Sequence, residues 1–189
     1  ETQKMRKINY WQQAAGDGDH SYAAICLKWD VILNGPGYAG KWPDCAQKLK
    51  NNGWSSKKIT DIRRFAQDMI EGDVVILRMG TSQVLGVGVI QGAYEWLDMF
   101  GDIDGWRLQH VRRVKWLWKG KKQFETYTLK QGDTTQKLDA KDVLDWIHSL
   151  SLNLTPFHDL VDLPPDESHE IDFDAVSEFL FDEGVSSNS

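Results

Sequence analysis

The sequence predicts an α+β fold in which a small curled β-sheet, or partly closed β-barrel, is flanked by helices. Residues 74–79 and 84–90 are β-branched runs joined by a short polar turn, which is typical of a β-hairpin. Residues 55–69 repeat apolar side chains at helical spacing instead. With 189 residues, 41% of them hydrophobic, the chain can bury a substantial core.

The N-terminal part is interpreted as short elements separated by turns. Residues 7–12 and 23–29 predict strands on either side of a Gly/Asp-rich loop at 16–19. Asn34-Gly35-Pro36-Gly37 then ends any regular element. Residues 45–52 predict a short helix that ends at Gly53, ahead of the helix at 55–69.

The C-terminal part adds strands and then helices. Residues 106–118 predict a long alternating strand and residues 124–129 a shorter one. Residues 138–152 have the apolar spacing of an amphipathic helix. Beyond a Pro-rich linker at 164–168, residues 171–181 predict a short acidic helix. We therefore expect a main domain at 1–130, a helical extension at 131–163 and an acidic linker and helix at 164–189.

Charge is distributed unevenly along the chain. The formal net charge is −6, yet residues 41–122 carry fifteen basic against nine acidic side chains, and residues 123–189 carry three against fifteen. Seven of the nine tryptophans also lie between residues 27 and 118. Aromatic faces among positive charges are typical of proteins that hold a nucleobase or a single strand. The acidic tail accounts for the acidic balance of the whole chain.

Composition excludes several classes of protein. Cys26 and Cys45 are too few for a disulfide framework and lack zinc-binding spacing, so both are expected to be buried in a reducing compartment. The sequence contains neither a long apolar run nor a signal-peptide pattern, which favours a cytoplasmic location. It has no initiating Met and ends in Ser-Ser-Asn-Ser, which is typical of a segment of a longer chain.

Several short motifs follow one another in a recognisable order between residues 7 and 118. They are Asn9-Tyr10-Trp11, Trp29-Asp30 with Asn34, Gly72-Asp73 before a β-branched run, and Gly86-Val87-Gly88. In this order the chain resembles the EVE domain, a PUA-like barrel that is similar to the YTH readers of N6-methyladenine. The resemblance implies a barrel that holds a flipped modified base between aromatic walls. It ends near Trp118, and the acidic helical C-terminal extension is expected from composition alone.

The resemblance also implies which side chains form that cage. Trp29 and Trp96 occupy the positions of two walls, and Asp30 and Asn34 lie where they would bond the edge of the base. The stretch from Asn34 to Trp54 is longer than in compact EVE domains. Four aromatic or thioether side chains are therefore candidates for the third wall: Tyr38, Trp42, Met99 and Phe100.

Basic side chains are candidates for contacts with phosphates. They are Lys57, Lys58, Arg63, Arg64, Arg107, Arg113, Lys119 and Lys121. Arg112 and Arg113 point to opposite faces of one strand, so at most one of them faces a nucleic acid. The alternative for every cation is a solvated charged face, and for the tryptophans a place in the core.

No catalytic, metal or cofactor site is expected. His20 beside Asp17 and Asp19 is typical of a solvated turn, and no serine or cysteine has an evident histidine partner. Gly86-Val87-Gly88 lacks the spacing of a dinucleotide fingerprint. The chain is interpreted as a binding module, and any nuclease or NTPase activity is expected in another domain or subunit.

The resemblance extends to function. An EVE-type module before a helical linker is similar to the N-terminal specificity part of modification-dependent, type IV restriction systems of the McrBC kind. We expect a reader of double-stranded DNA that flips 5-methylcytosine or 5-hydroxymethylcytosine, rather than N6-methyladenine, and targets a nuclease or AAA+ motor in cis or in trans. The alternatives are a reader of modified RNA and a protein-interaction adaptor whose tryptophans are core. The acidic tail is a candidate inhibitor that covers the basic face.

Overall fold

The computed structural model describes residues 7–16 and 19–154, which form a mixed α+β domain. Its strands are β1 (Tyr10–Ala14), β2 (Val31–Asn34), β3 (Val74–Met79), β4 (Gln83–Trp96), β5 (His110–Gln123) and β6 (Thr135–Lys137). Its α-helices are α1 (Ala23–Trp29), α2 (Cys45–Asn51), α3 (Ser56–Arg63) and α4 (Lys141–Ser149). A π-helical turn, Arg64–Asp68, continues α3, and a 3₁₀ turn, Asp98–Phe100, follows β4.

The six strands form one strongly curled sheet in the order β2-β5-β4-β3-β1-β6. The β1–β3 pair is parallel, with Tyr10 opposite Val74, and the other pairs are antiparallel. Helices flank this half-barrel, as the sequence predicted. The predicted β3–β4 hairpin and the helices at α2, α3 and α4 are also confirmed.

A buried polar seam joins the two edge strands of the sheet. Asn34 at the end of β2 donates its amide to the Thr135 hydroxyl of β6 at 3.2 Å. The Gln13 amide donates to the Leu33 carbonyl at 2.9 Å, and the Thr135 hydroxyl donates to Gln13 Oε1 at 2.7 Å. Asp61 of α3 accepts the Thr135 backbone N–H at 2.7 Å. Side chains thus join edges whose backbones are not paired in a ladder.

Both faces of the sheet are covered by apolar side chains. Along β3, Val75 and Leu77 enter the core that also contains α1 and Phe65, whereas Val74 and Ile76 enter the core beneath α4. This double coverage explains why β3 is a continuous apolar run rather than an alternating one. A third, smaller cluster of Cys45, Leu49 and Ile62 joins α2 to α3.

The glycines of β4 make room for a tryptophan on the neighbouring strand. A Cβ added at Gly86 would lie 3.0 Å from Trp116 Cε3, and at Gly88 it would lie 2.9 Å from the same atom. The Trp116 indole is buried against both positions and donates to the Cys26 carbonyl at 2.9 Å. The Gly86-Val87-Gly88 motif is therefore explained by close packing within the sheet.

Replacing Gly88 with alanine is expected to lower the free energy of unfolding by about 2 kcal/mol, because the new methyl overpacks the core. Its Cβ would lie 2.5 Å from Val114 Cγ1 and 2.7 Å from the Lys115 carbonyl oxygen. Urea denaturation measures the loss. Gly80→Ala is the control, since Gly80 has a φ of +59° but open space around it, and we expect about half the loss there. Equal losses in the two variants would contradict the packing explanation.

Some predicted elements differ from the structure. Residues 23–29 form α1 and not a strand, because Ala23, Ile25 and Cys26 are buried against the sheet and Asp30 ends the helix with a left-handed φ of 54°. Residues 124–129 do not form a strand: Phe124 turns away to pack on the Trp146 ring. The predicted strands at 7–12 and 106–118 lie at Tyr10–Ala14 and His110–Gln123.

The predicted domain boundary after residue 130 cuts through the sheet. Its sixth strand, Thr135–Lys137, pairs with β1 and therefore belongs to the main domain. The predicted helix at 138–152 is present as α4. The end of the predicted helical extension, the Pro-rich linker and the acidic helix at 171–181 lie outside the described residues.

Candidate functional site

One end of the curled sheet carries a group of half-buried aromatic side chains around a buried histidine. Tyr94 and Trp96 lie two residues apart on β4. His110 of β5 lies between two strands, opposite Trp96 of β4 on one side and opposite Asn34 of β2 on the other. The Trp96 and His110 rings meet edge to face, with centroids 5.2 Å apart. Trp96 also donates its indole N–H to Asp98 Oδ1 at 2.9 Å. We refer to Tyr38, Trp42, Tyr94 and Trp96 as the aromatic end.

Hydrogen bonds connect the loop after β2 to this end of the sheet. The backbone N–H of Trp42 donates to the Tyr94 hydroxyl at 3.2 Å, and this hydroxyl lies 2.6 Å from His110 Nδ1. The indole N–H of Trp42 donates to Gln67 Oε1 at 3.2 Å. Trp42 is therefore held both by β4 and by the turn that follows α3.

His110 is uncharged at neutral pH because its ring has no exposed surface. Burial lowers the pKa of His110 from 6.5 to about 4; the positive charge of Lys58 adds to this shift and the Pro36 carbonyl opposes it. Burial also raises the pKa of Tyr94 to about 12. The pair therefore consists of a neutral imidazole and a protonated phenol.

The loop from Gly35 lies directly on the segment before β5. Gly37 donates its backbone N–H to the Arg107 carbonyl at 2.9 Å, and a Cβ added at Gly35 would lie 2.5 Å from that oxygen. The Gly35–Pro36 and Trp42–Pro43 peptide bonds are cis. Glycine is required at position 35 because any side chain there would meet backbone.

The segment from Tyr38 to Trp54 adds aromatic surface beside this loop. The Trp54 indole donates to the Tyr38 hydroxyl at 2.7 Å, and Trp54 is 40% exposed. Tyr38 and Trp42 pack on the small apolar cluster between α2 and α3. Lys48 Nζ lies 5.9 Å from the centroid of the Tyr38 ring. Exposed rings and a cation therefore share one surface.

The structure separates the two tryptophans that were predicted to face each other. Trp96 lies at the level of Asn34, whereas Trp29 ends α1 at the other end of β2. Four residues lie between Trp29 and Asn34, and β2 itself spans roughly 10 Å of that separation. Phe100, a candidate for the third wall, is fully buried in the core and has no surface for a ligand. Tyr38 and Trp42 are the predicted walls that lie on the same side as Trp96.

The two residues predicted to bond the edge of a base are also apart. Asp30 caps α1 beside Trp29, at the far end of β2 from Asn34. Asn34 is buried, and its side chain already bonds Thr135, the Gly35 N–H and Lys58 Nζ. This saturation assigns the Asn34 amide to the seam of the sheet.

Most of the cations predicted to bind phosphate have partners within the domain. Lys58 pairs with Asp61 at 2.7 Å, Arg63 with Asp68 at 3.3 Å, Arg64 with Asp133 at 3.3 Å, and Arg113 with Glu95 at 2.5 Å, while Lys119 donates to the Leu27 carbonyl at 2.8 Å. Lys57, Arg107 and Lys121 are exposed, and within residues 7–16 and 19–154 they form no ion pair. Arg107 precedes β5 at the aromatic end, where its carbonyl accepts the Gly37 N–H; Lys57 lies in the first turn of α3, and Lys121 lies towards the opposite end of β5.

The predicted alternation of Arg112 and Arg113 is confirmed. Arg112 is buried and donates to the carbonyls of Phe65, Met69 and Gly92, so it fastens the π-helical turn to the sheet. Arg113 points the other way but makes a bidentate ion pair with Glu95. Neither arginine is free to contact a phosphate.

Sequence reasoning missed Tyr94, His110 and Gln109. Gln109 Oε1 is buried and, in the described part of the chain, has no hydrogen-bond partner. The available signal was the polar pair Gln109-His110 directly before the apolar alternation of β5. A buried polar side chain at the start of a core strand indicates either a structural hydrogen bond or a site.

The described residues contain no cluster of three or more His, Cys, Asp or Glu side chains arranged to hold a metal ion. Both cysteines are free and buried, as predicted, and burial raises the pKa of Cys26 to about 12 and that of Cys45 to about 11. Nor does any helix in this part of the chain have the length and apolar character needed to cross a membrane.

The fold and this site define a curled α+β domain with an aromatic end and a buried histidine beneath it. Residues 11–138 match the model of a family described as a domain of unknown function, DUF8426. The match covers more than half of the chain, which therefore belongs to this family. It begins at the second residue of β1 and ends just after β6, so it includes all of the sheet except Tyr10. No curated protein matches the chain.

Proposed function

We propose that this domain is a PUA-like module of the EVE kind that binds double-stranded DNA and holds one modified base, flipped out of the duplex, at its aromatic end. The observation that carries the proposal is the grouping of half-exposed rings at one end of a curled sheet, next to cations that form no ion pair within residues 7–16 and 19–154. The order of the motifs from Asn9 to Trp118 supports the relationship to EVE domains.

Stacking supplies the energy for such a site. Aromatic faces return roughly 1–3 kcal/mol per base, enough to offset the few kcal/mol lost when a base leaves the duplex. In this proposal Trp42, Tyr94 and Trp96 are the walls, because hydrogen bonds and ring contacts join all three around His110. Trp29, at the other end of β2, is assigned no contact with the base.

Selection of a modified base requires a polar contact as well as stacking. One extra buried methyl group adds only about 0.8 kcal/mol. Because the Asn34 amide is saturated within the seam, Gln109 is the better candidate for a hydrogen bond to the base edge. Its Oε1 lacks a partner among the described residues. Gly37 covers this oxygen closely, since an added Cβ there would lie 1.8 Å from it, so in this proposal the loop at Gly37 moves aside when the base binds.

Phosphate contacts are assigned to the cations that are not already neutralised. Arg107, beside the loop of the aromatic end, and Lys57, in the first turn of α3, are exposed and form no ion pair in the part of the chain that the structure describes. Such contacts release counterions and make the affinity fall with salt. We further propose that the module directs a nuclease or AAA+ motor, in cis or in trans, to 5-methylcytosine or 5-hydroxymethylcytosine, as in a type IV restriction system.

Trp42→Ala and Trp96→Ala are each expected to weaken binding to the preferred duplex about tenfold or more, since each removes one stacking face. Fluorescence anisotropy at fixed salt compares one duplex in four forms: unmodified, 5-methylcytosine, 5-hydroxymethylcytosine and N6-methyladenine. Trp29→Ala is the matched control and is expected to keep its affinity within about twofold. A large loss of affinity in Trp29→Ala would contradict this assignment of the walls and support the cage predicted from sequence alone.

Two further outcomes would overturn the proposal. Selective binding of methylated RNA in preference to the four duplexes would make the module an RNA reader. Equal binding to all duplexes, or none, with no dependence on salt, would favour a protein-interaction adaptor in which the tryptophans are structural.

A further inference from the structure

A relay of hydrogen bonds runs from the loop of Trp42 to His110, the first residue of β5. It passes from the Trp42 backbone N–H to the Tyr94 hydroxyl at 3.2 Å, and from there to His110 Nδ1 at 2.6 Å. His110 has no exposed surface, and its Nε2 makes no hydrogen bond within the described residues. The groups that act on the ring are the Tyr94 hydroxyl, the Pro36 carbonyl and the cation of Lys58.

The relay is complete only with a neutral imidazole. The Tyr94 oxygen accepts the Trp42 N–H, and its own hydrogen then needs an acceptor, which unprotonated Nδ1 supplies. The ring hydrogen is thereby placed on Nε2. Protonation makes both ring nitrogens donors, so Nδ1–H and the Trp42 N–H compete for the Tyr94 oxygen, the Tyr94 hydrogen loses its acceptor, and a second charge arises near Lys58.

We propose that His110 is a positioning residue: through Tyr94 it holds the backbone at Trp42 in place for ligand binding, and protonation of the ring loosens that backbone and weakens ligand binding. This inference rests on the proposed function in one respect only, namely that Trp42 is a wall of the ligand site. The assigned group is Nδ1 in its acceptor form, and the ring never touches the ligand.

The other hydrogen bonds that hold this loop do not involve the backbone N–H of Trp42. Gly37 is held by the Arg107 carbonyl at 2.9 Å, and the Trp42 indole by Gln67 at 3.2 Å. The Trp42 backbone is joined to the sheet through Tyr94. Loss of that hydrogen bond therefore frees the backbone of Trp42 while leaving the rest of the loop attached.

Two substitutions whose side chains match each other in size and shape separate positioning from packing. His110→Asn keeps an acceptor near the place of Nδ1 but cannot titrate in this range. His110→Leu has the shape of asparagine and no acceptor. Backbone and indole N–H signals of Trp42 are followed by ¹H–¹⁵N NMR from pH 7 to pH 4, together with hydrogen exchange of its amide. Long-range ¹H–¹⁵N spectra of the His110 ring report which nitrogen carries the hydrogen.

In the wild-type chain we expect the Trp42 signals to titrate with those of His110 and the ring hydrogen to reside on Nε2. His110→Asn is expected to abolish the titration and to keep exchange of the Trp42 amide close to that of the wild-type chain. His110→Leu and Tyr94→Phe are expected to speed exchange of the Trp42 amide and to weaken binding by about fivefold, as for loss of one hydrogen bond.

A hydrogen on Nδ1, or unchanged exchange of the Trp42 amide in Tyr94→Phe, would overturn the proposal even if His110→Leu failed to fold. If the wild-type chain bound none of the duplexes, the proposed function would fail. The NMR titration of Trp42 would still decide the role of His110.

Discussion

Replacing Asp61 with alanine is expected to lower the free energy of unfolding by about 4 kcal/mol, because its carboxylate holds the buried seam between the edge strands. Asp61 is 1% exposed and accepts hydrogen bonds from the backbone N–H groups of Thr134 at 3.3 Å and Thr135 at 2.7 Å. The carboxylate also accepts from Lys58 Nζ at 2.7 Å and from the Asn34 amide at 3.5 Å. Alanine would leave buried donors without acceptors and separate β6 from β2.

Urea denaturation at pH 7 measures this loss, with Asp44→Ala as the control. Asp44 precedes α2, is exposed, and makes no capping hydrogen bond with its side chain, so we expect a change below about 0.5 kcal/mol there. Asp61→Asn keeps an acceptor and is expected to lose less than Asp61→Ala. A loss below about 1 kcal/mol in Asp61→Ala would show that the seam does not hold the sheet edges together.

Acidification from pH 7 to pH 4 is expected to remove up to about 3 kcal/mol of stability through His110 alone. Folding lowers the pKa of His110 from 6.5 to about 4, chiefly because the ring is buried. Between these two values the unfolded chain binds a proton that the folded chain does not. The contribution is therefore complete above pH 6.5, declines as the pH falls through this window, and stays constant below about pH 4.

The measurement is the free energy of unfolding in urea at several pH values between 7 and 4. His110→Asn is expected to flatten the dependence by about 3 kcal/mol across the window, even if the variant is less stable at pH 7. His148→Asn is the control, since His148 is exposed on α4. A wild-type curve with the same slope as that of His110→Asn would contradict a buried neutral imidazole.

The seam and the aromatic end are neighbours, which links stability to the proposed site. Asn34 lies opposite His110 across the β2–β5 pair, and Lys58 contacts both Asn34 and Asp61. The same cation lowers the pKa of His110. Substitutions in the seam are therefore expected to disturb the aromatic end, so binding assays on such variants need stability measured alongside.

Local patterns in the sequence were enough for the elements whose neighbours lie close along the chain. The β3–β4 hairpin follows from two β-branched runs, and α4 follows from its apolar spacing. The curled sheet and the buried cysteines were predicted correctly for the same reason. Each of these features depends on side-chain type and on periods of two or 3.6 residues.

Tertiary structure alone decided which polar side chains are available at the surface. Asn34, Arg64 and Arg113 resemble surface-binding residues in the sequence, but their partners, Thr135, Asp133 and Glu95, lie far along the chain. Only folding reveals such pairings, because hydrogen bonds and ion pairs between distant residues leave no local pattern. The short, polar strand β6 was missed for the same reason: it is a strand because β1 pairs with it.

The position of the candidate site was decided in the same way. The sequence by itself determined an aromatic, basic segment on a curled α+β scaffold, since composition and motif order are properties of the chain. It placed Trp29 with Trp96, yet the register of β2 against β5 and of β5 against β4 puts them at different levels of the sheet. Register follows from long-range strand pairing, and that pairing brought Tyr94, Trp96 and His110 together beneath the loop of Trp42.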